Sequence, residues 1–541
     1  MLVDTFTVLN PDNYYVLAAN INNYPVDSIG YSILHSKITP KDADLYVNPQ
    51  GGDNSNSGLT SEEPLKSIAF AYSSIMVDSL EKNTIHLADG IYSDSSNTEK
   101  FPLNIRPYIN VVGQSIAGTI LDGQYKSRVI KGNNEVSNYS FSKMTMRRGG
   151  KVDTLDHPPI AGFGVLYAQN DHVTFDSIHF IGGHCYSSDG ALSVQASSDV
   201  MISNCVFTGT IGGSAFSTGV DIGDTITVKN CIFADNLPDY NNQDNWQGGG
   251  MWLAGGRSMA IVQNCLFTGN DQTTIAATAS GYHPDFTPVI VNCTFTGNTH
   301  LEDMASLSGS GSGLELINCI VYDEGSVPAA LYSWESLDTV VLHISHSLFE
   351  GGPDAVYLYP GDPVKLIYDE SNIDTDPLFY GGFEFPYNLS ENSPCIDAGT
   401  LELPSFVHLP ATDLAGNPRV YGSSIDMGAY EWNPTVGINE FRLVTPEKEK
   451  LLKVAPNPFA TSTKVMVKTT VSGKVKLEVY NNSGQRVRVL MDGTYLPGTS
   501  IVNWEGEDEY NRPLPSGIYH LVLVVDGKEK EEIGVIKQGN D

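Results

Sequence analysis

Side chains that could do chemistry are concentrated in long inserts of this chain. The inserts span residues 147–159, 184–189, 237–246 and 271–278. The first three carry Arg147, Arg148, Lys151, His157, His184, Asp189, Asp239, Asp244 and Trp246. Long loops on one side of a repetitive fold commonly hold its function. We therefore expect these residues to line a common groove.

Two reactions suit this set of side chains. Eliminative cleavage of a uronate polymer needs a base for the C5 proton and a cation that neutralises the carboxylate. The candidate bases are Arg147, Arg148, Lys151 and His184, and the candidate Ca²⁺ ligands are Asp239 and Asp244. Hydrolysis instead needs two carboxylates across the scissile bond, such as Asp189 with Asp239 or Asp244. The alternative to both reactions is that the aspartates stabilise turns and the arginines pair with an acidic surface.

A row of aromatic residues beside these inserts predicts a sugar-binding platform. We take one aliphatic residue of each short strand to point inward: Leu166, Leu192, Ala215 and Leu253. Period-2 alternation then turns outward Tyr167, Ser193, Phe216 and Trp252. Exposed rings along a flat sheet bind the apolar faces of sugars, so the candidate substrate-binding residues are Tyr167, Phe216, Trp246 and Trp252. The alternative is that neighbouring loops cover these rings.

Five copies of one phrase indicate which elements position these residues. The copies span 202–209, 228–233, 262–270, 290–298 and 316–320, and their cysteines lie 26 to 34 residues apart. Weaker copies occur at 141–144, 175–180 and 344–349. A repeat of this length, built from short β-rich pieces, is typical of a solenoid. The period and phase of the copies predict a parallel β-helix.

Each phrase contains a turn residue followed by a buried strand. Asparagine tolerates the left-handed conformation, so we expect a bend at Asn204, Asn230, Asn264, Asn292 and Asn318. The next residue should point inward and form a column of Cys205, Cys231, Cys265, Cys293 and Cys319. These cysteines lack zinc-ligand spacing, and in-register parallel strands suit the dihedral of a disulfide poorly. We therefore expect free, buried thiols, and no metal site can be assigned.

The charge of the chain limits its partners. The 541 residues carry a formal net charge of −32, which argues against nucleic acid as a ligand. No apolar run has the length of a membrane-spanning helix. Residues 1–10 lack a basic region and contain Asp4, so they do not form a signal peptide, and we expect the native start to lie further upstream. We expect a monomer.

The N-terminal part contains the motif Leu45-Tyr-Val-Asn-Pro-Gln-Gly-Gly-Asp53, followed by 63–68 and 84–92. This order resembles the opening of secreted right-handed parallel β-helix proteins of the pectate-lyase-like superfamily. The resemblance implies a first strand, a turn and a capping helix before the first coil. The paired-Asp and Arg-x-Lys pattern of the β-helix polygalacturonases is missing, as are the calcium and arginine motifs of the pectate lyases. The resemblance therefore implies a fold and leaves the activity open.

A closing segment follows the last repeat. Its motifs at 374–379, 393–399, 413–419 and 425–431 are similar to the segment that follows many bacterial β-helices. Three aspartates within it, Asp397, Asp413 and Asp426, have two interpretations. They could form a functional carboxylate cluster, but we favour aspartates that cap turns in a C-terminal lid.

The last 91 residues carry motifs of their own at 456–458, 480–484, 517–519 and 535–537. They resemble the C-terminal sorting domain of the type IX secretion system, and the alternative is an ordinary Ig-like module. The resemblance implies a protein that is secreted or associated with the outer membrane of a Gram-negative bacterium, with the type IX machinery as a partner.

The predicted fold class is all-β: a right-handed parallel β-helix solenoid followed by a small Ig-like β-sandwich. We expect a β-rich remnant at 1–42, the β-helix with its cap and closing segment at 43–434, a linker at 435–450 and the sorting domain at 451–541. The favoured function is binding, and possible cleavage, of polysaccharide in a groove on one face of the solenoid. The alternatives are a non-enzymatic adhesin or envelope scaffold and, less favoured, a phage-type or autotransporter-like passenger.

Overall fold

The structure is a computed structural model. It describes residues 40–132, 138–151, 164–169, 172–183, 191–197, 199–220, 225–238, 249–255, 259–271, 273–279, 286–299, 305–323, 327–333, 339–380, 387–433, 452–455, 457, 459, 461–469, 473–481, 485–495, 498–510, 512–525 and 528–537. The chain divides into two compact units, one of residues 1–379 with 388–445 and one of residues 380–387 with 446–541. The expected remnant at 1–42 lies almost wholly outside the described residues, as does the linker at 435–450.

Among its described residues, the first unit is a solenoid of short, mostly parallel strands with one helix, α1 (Ile68–Ser74), and a 3₁₀ helix at Gly352–Ala355. Its strands are β1 (Leu45–Val47), β2 (Asn83–Leu87), β3 (Gly90–Tyr92), β4 (Leu103–Asn104), β5 (Ile109–Gly113), β6 (Thr119–Asp122), β7 (Lys126–Ser127), β8 (Ile130–Lys131), β9 (Tyr139–Arg147), β10 (Gly150–Lys151), β11 (Gly164–Gln169), β12 (Val173–Ile181), β13 (Leu192–Ser197), β14 (Val200–Ser203), β15 (Val206–Thr208), β16 (Ile211–Gly212), β17 (Phe216–Val220), β18 (Thr225–Lys229), β19 (Ile232–Ala234), β20 (Leu237–Pro238), β21 (Met251–Gly255), β22 (Met259–Gln263), β23 (Leu266–Thr268), β24 (Ile275–Ala279), β25 (Val289–Val291), β26 (Thr294–Thr296), β27 (Ala305–Ser310), β28 (Leu314–Ile317), β29 (Ile320–Tyr322), β30 (Val327–Tyr332), β31 (Val340–Ser345), β32 (Leu348–Phe349), β33 (Val356–Leu358) and β34 (Val364–Tyr368).

One coil shows the path of the chain. Strand β14 runs to Asn204, the chain bends, and β15 continues in the same 20-stranded sheet. The chain then crosses to β17 in a second, eight-stranded sheet and returns to β18, which pairs in parallel with β14. The second sheet has the order β11-β13-β17-β21-β24-β27-β30-β33. This arrangement confirms the predicted parallel β-helix.

The bends are left-handed, as the sequence predicted. The φ angles are 53°, 54°, 57°, 52° and 56° at Asn204, Asn230, Asn264, Asn292 and Asn318. A second left-handed column follows the next strand of each coil: Arg148, Gly182, Gly209, Asp235, Gly269 and Gly297, with φ between 49° and 69°. Two such bends per coil change the direction of the chain, and asparagine and glycine tolerate the left-handed conformation that they require.

The core consists of columns of like residues. Phe207 and Phe233 stack with ring centroids 4.8 Å apart, and the stack continues through Phe267 to Phe295 at 4.9 and 4.7 Å. The five repeat cysteines are fully buried and free, and Cys205 donates from Sγ to the carbonyl of Ser203 at 3.1 Å. These thiols therefore act as small core residues.

Both ends of the solenoid are covered. At the N-terminal end, Ser67 caps α1, and Glu99 accepts hydrogen bonds from the backbone of Ile68 and Ala69. At the other end, the closing segment, residues 388–433, packs on the bends of the last coils: the carbonyl of Asp426 accepts from Asn292 Nδ2 at 3.2 Å. Solenoids need such covers because an open end exposes core and unpaired strand edges.

The second unit is a small sandwich of two antiparallel sheets. Its strands are β35 (Leu452–Ala455), β36 (Thr463–Thr469), β37 (Gly473–Asn481), β38 (Arg486–Tyr495), β39 (Gly498–Trp504), β40 (Gly517–Val525) and β41 (Lys528–Lys537). The sheets have the orders β35-β36-β39 and β38-β37-β40-β41 and share a core that includes Leu477, Trp504 and Leu521. None of the helices among the described residues has the length and hydropathy needed to cross a membrane.

Candidate functional site

The register of the second sheet determines which side chains face outward. Phe216 pairs with Leu192 and Met251, all three are fully buried, and the Phe216 ring lies 6.2 Å from that of Phe207. The outward position in this strand belongs to Ser217, which pairs with Trp252. The prediction that Phe216 faces outward is therefore wrong. Phe216, rather than the expected Ala215, lies in register with Leu192, and a slip of one residue exchanges the two faces.

The outward side of the second sheet carries a few rings among small residues. Trp252 is partly buried, and its Nε1 donates to Thr278 Oγ1 at 3.2 Å. The positions in register with Trp252 on the following strands are Ala276, Ser308, Ala330 and Tyr357. Because parallel strands are spaced about 4.8 Å apart, Trp252 and Tyr357 are separated by about 19 Å along the solenoid.

A tyrosine cluster forms the C-terminal end of this surface. Tyr357 and Tyr359 are 50% and 53% exposed, and their ring centroids lie 6.2 Å apart in an edge-to-face arrangement. On the preceding strand, the Tyr332 hydroxyl lies 3.1 Å from Ser308 Oγ. We name the surface formed by Trp252, Tyr332, Tyr357 and Tyr359 the aromatic face. These tyrosines were not predicted from the sequence, although the alternation Tyr357-Leu-Tyr359 indicates them when the strand series is extended to the last coil.

Two of the candidate bases meet at one carboxylate. Asp122, at the end of β6, is opposite Arg147, at the end of β9. Arg147 Nε donates to Asp122 Oδ2 at 2.9 Å, and Arg148 Nε donates to Asp122 Oδ1 at 2.9 Å. Arg148 Nη2 also donates to Asp122 Oδ2. We name these three residues the arginine cluster. The carboxylate is 1% exposed, whereas the two arginine side chains are 32% and 44% exposed.

The electrostatics of the arginine cluster favour the charged forms. Burial raises the pKa of Asp122, but hydrogen bonds from Arg148 and the charge of Arg147 outweigh this effect and hold it below its usual value. In turn, the hydrogen bond to Asp122 raises the pKa of Arg148. A general base must be able to lose its proton near the working pH. The geometry therefore disfavours Arg148 as the base for proton abstraction and suits it to binding an anion.

Several predicted residues lie outside the described part of the chain: His157, His184, Asp189, Asp239, Asp244 and Trp246. The backbones of Tyr167 and Lys151 are described, in β11 and β10, but their side chains are not. Neither the hydrolytic pair nor the expected Ca²⁺ ligands can be placed. Within the described residues, no group of three or more His, Cys, Asp or Glu side chains is arranged to hold a metal ion.

The aspartates of the closing segment bind backbone groups. Asp397 Oδ1 accepts from the backbone of Ser424 at 2.8 Å, and Asp413 Oδ1 accepts from that of Asn417 at 2.7 Å. Asp426 accepts from the backbones of Asp397 and Trp432. These contacts are those of turn-capping residues.

A buried charge cluster accompanies these turns. Arg419 is 2% exposed, and its Nη2 donates to the carbonyl of Gly428 at 2.8 Å and lies 3.7 Å from Glu431 Oε1. Burial raises the pKa of Asp426 to about 6 and that of Glu431 to about 8. The cluster lies inside the closing segment, so it stabilises this segment rather than facing a ligand.

Comparison with known proteins agrees with the fold. Residues 163–349 match the family described as a right-handed β-helix region, and residues 50–232 match a family described as a protein of unknown function (DUF1565). The solenoid is therefore a right-handed parallel β-helix. Comparison with curated proteins finds no match. A solved structure titled rhamnogalacturonan lyase is similar at 14% sequence identity over 63% of this chain and 91% of its own, with a TM-score of 0.35.

Proposed function

We propose that this protein binds polysaccharide along the aromatic face of its second sheet. The observation that carries the proposal is the pair Tyr357 and Tyr359, half exposed beside Tyr332, with the small residues Ala330 and Ser308 in register with Tyr357 on the two preceding strands. Tyrosine rings cover the apolar C–H faces of sugars, while their hydroxyl groups bond to sugar hydroxyls. The residues in register between the rings, Ala276, Ser308 and Ala330, are small.

Binding is favoured over cleavage for the described residues. Of the arginines expected to act as bases, Arg148 is held as a cation by its hydrogen bond to Asp122, which raises its pKa, and Arg147 donates to the same carboxylate. Cleavage would then need residues outside the described part of the chain, such as His184 with Asp239 and Asp244 as Ca²⁺ ligands. A screen run with and without Ca²⁺ that also follows 235-nm absorbance would detect unsaturated uronate products. Product formation would replace binding by lyase activity as the function.

We further propose that the protein acts outside the cell as a monomer and that residues 451–541 are a type IX sorting domain. In support of this, Asn457 of the proposed motif contacts the last strand, β41: Asn457 Nδ2 donates to Gly534 O at 3.0 Å, and Ile536 N donates to Asn457 Oδ1 at 2.7 Å. The test is to delete residues 451–541 and express the chain in a bacterium with this secretion system. Because residues 1–10 do not form a signal peptide, both forms carry an added N-terminal export signal. We expect the deleted form to stay inside the cell and the full chain to reach the surface.

The binding test uses the full chain and a panel of neutral and acidic polysaccharides in affinity electrophoresis. The double variant Tyr357→Ala/Tyr359→Ala should weaken binding by about 2 kcal/mol, roughly 30-fold, because two stacking surfaces are removed. Tyr510→Ala is the matched control, since Tyr510 is 78% exposed in the sandwich. Binding that survives the double variant unchanged would refute the aromatic face as the site. Failure of every polysaccharide to bind would instead favour a surface scaffold or adhesin.

A further inference from the structure

A basic segment lies within this acidic chain. Residues 122–151 contain seven Lys or Arg and two Asp or Glu, whereas the whole chain has a formal net charge of −32. A protein of that charge repels polyanions unless positive charge is concentrated locally. The arginine cluster, Asp122 with Arg147 and Arg148, lies in this segment. It is therefore a place where an anionic group can approach an otherwise repulsive molecule.

The arginine cluster is not electrically balanced. Two guanidinium groups share one carboxylate, so one positive charge remains. The carboxylate is buried, whereas about a third and nearly a half of the two arginine side chains are exposed. The remaining charge is consequently on the solvent side. Asp122 also holds both planar groups in fixed orientations, so a ligand would lose little affinity to ordering them.

The backbone of the arginine cluster is strained at a position where the next two coils have glycine, which adopts the same conformation without strain. Arg148 has φ of 49°, and the equivalent position of the next two coils is glycine, Gly182 and Gly209. Glycine adopts this conformation freely, but arginine does so at a cost. Gln124 and Tyr125 are also left-handed, with φ of 54° and 53°. Strained residues other than glycine concentrate at functional sites, which is a reason for an arginine at a glycine position.

We propose that the arginine cluster binds the carboxylate of an acidic sugar unit, so that the polysaccharide recognised by this protein contains uronic acid. The inference rests on the proposed polysaccharide binding and adds the class of sugar. The forked guanidinium group matches a carboxylate in shape and charge. Tyr125, which is 37% exposed and whose backbone N–H donates to Arg148 O at 2.7 Å, offers an aromatic surface beside the charge.

The experiment compares two probes on the full chain by isothermal titration calorimetry. One probe is a uronic-acid oligosaccharide, and the other is the same oligosaccharide with its carboxyl groups methyl-esterified. The wild-type chain should prefer the free acid by about tenfold or more, and added salt should reduce this preference. Arg148→Gly should abolish the preference. Its effect on Tm combines the relief of backbone strain at this position with the loss of two hydrogen bonds to the buried Asp122 carboxylate. Arg147→Gln, which leaves φ at residue 148 unchanged, should reduce the preference as well.

The matched control is Lys143→Asn. This change also removes one positive charge from the segment. Lys143 is left-handed, with φ of 57°, and later coils have asparagine at the equivalent position. Lys143→Asn should keep the preference for the free acid. Equal binding of both probes to the wild-type chain, a preference that survives Arg148→Gly, or equal losses in Arg148→Gly and Lys143→Asn would each overturn the proposal.

The same titrations separate this proposal from the aromatic face. Tyr357→Ala/Tyr359→Ala should weaken binding of both probes while keeping their ratio. If that double variant has no effect and Arg148→Gly still abolishes the preference, the proposed aromatic face fails and the arginine cluster stands. If Arg148→Gly has no effect while the double variant weakens both probes, the arginine cluster fails and the aromatic face stands.

Discussion

The asparagine bends of the solenoid are open to solvent in the middle coils and covered in the last ones. In the open coils, the amides bond to each other along the column: Asn230 Nδ2 donates to Asn204 Oδ1 at 3.2 Å. In the covered coils, they bond to the closing segment instead, since Asn318 Nδ2 donates to Thr400 O at 2.8 Å and Asn318 Oδ1 accepts from Thr400 N at 2.7 Å. Asparagine side chains thus bond to one another in the open coils and bind the closing segment in the covered coils.

The outward-facing residues of the strands that precede the bends also differ between the open and the covered coils. Thr227 and Lys229, in the open region, are partly exposed. Two coils later, the positions in register with them are Val289 and Val291, 3% and 0% exposed, which pack with Val407 of the closing segment. A change from polar to apolar residues at equivalent positions therefore reports where another segment lies on the solenoid, because apolar surface is stabilising only when it is buried.

The largest expected effect concerns the buried charge of the closing segment. Arg419→Met should lower the free energy of unfolding of the solenoid by about 3–5 kcal/mol, because it leaves buried carboxylates without their partner. Lys100→Met, which breaks an exposed ion pair with Asp94, should cost less than about 1 kcal/mol. Urea unfolding followed by far-UV circular dichroism compares the two. Similar costs would mean that the closing segment adds little stability.

The bends themselves provide the next comparison. Asn318→Ala should cost about 3 kcal/mol, because it strains a left-handed residue and removes two buried hydrogen bonds. Asn204→Ala should cost about 1 kcal/mol, since Asn204 is exposed and water can replace its partners. The measurement is again the urea midpoint. The distinction between covered and open bends would be lost if Asn204→Ala were the more destabilising change.

The buried carboxyl groups of the closing segment also predict a dependence of stability on pH. The pKa of Glu431 is raised from 4.5 to about 8 and that of Asp426 from 3.8 to about 6, so the folded state binds more protons than the unfolded state between these values. Stability from this source is full below about pH 4 and is lost as the pH rises to about 8. Asp413 and Arg419, which face the same cluster, stay in place in the test variant. Glu431→Gln should flatten the fall in Tm across this range, by about 2–4 °C for each kcal/mol involved. An unchanged pH profile would exclude Glu431 as the titrating group.

Thiol labelling should reveal the smallest effect. In a Cys185→Ser background, the five cysteines of the column should react only after unfolding, because they are fully buried. Cys395 is buried in the closing segment, where burial raises its pKa to about 12. If the closing segment loosens first at high pH, Cys395 should be labelled before the column is. Simultaneous labelling of all six would show that the two regions open together.

The predictability of this molecule varies along the chain. The bends and the cysteine column were predictable because the phrase that encodes them recurs at a constant phase, so each copy supports the others. Phe216 was misplaced because its strand starts after a glycine-rich stretch that conceals the register. Asp122 was missed as the partner of Arg147 because the two residues lie 25 apart in sequence and meet only when consecutive coils stack. Local sequence patterns do not show which residues of consecutive coils come into contact.

The long reach of the closing segment has a consequence for how the chain folds. Its hydrogen bonds to the coils join residues as far as 82 and 135 positions apart, whereas a coil pairs with the coil next to it about 26 to 34 residues away. Coils can therefore form one after another during synthesis, but the strip of Ile261, Val289, Val291 and Ile317 stays uncovered until Val407 has been made. For that interval the nascent chain presents an apolar strip to its neighbours, and we expect aggregation and chaperone dependence to arise there.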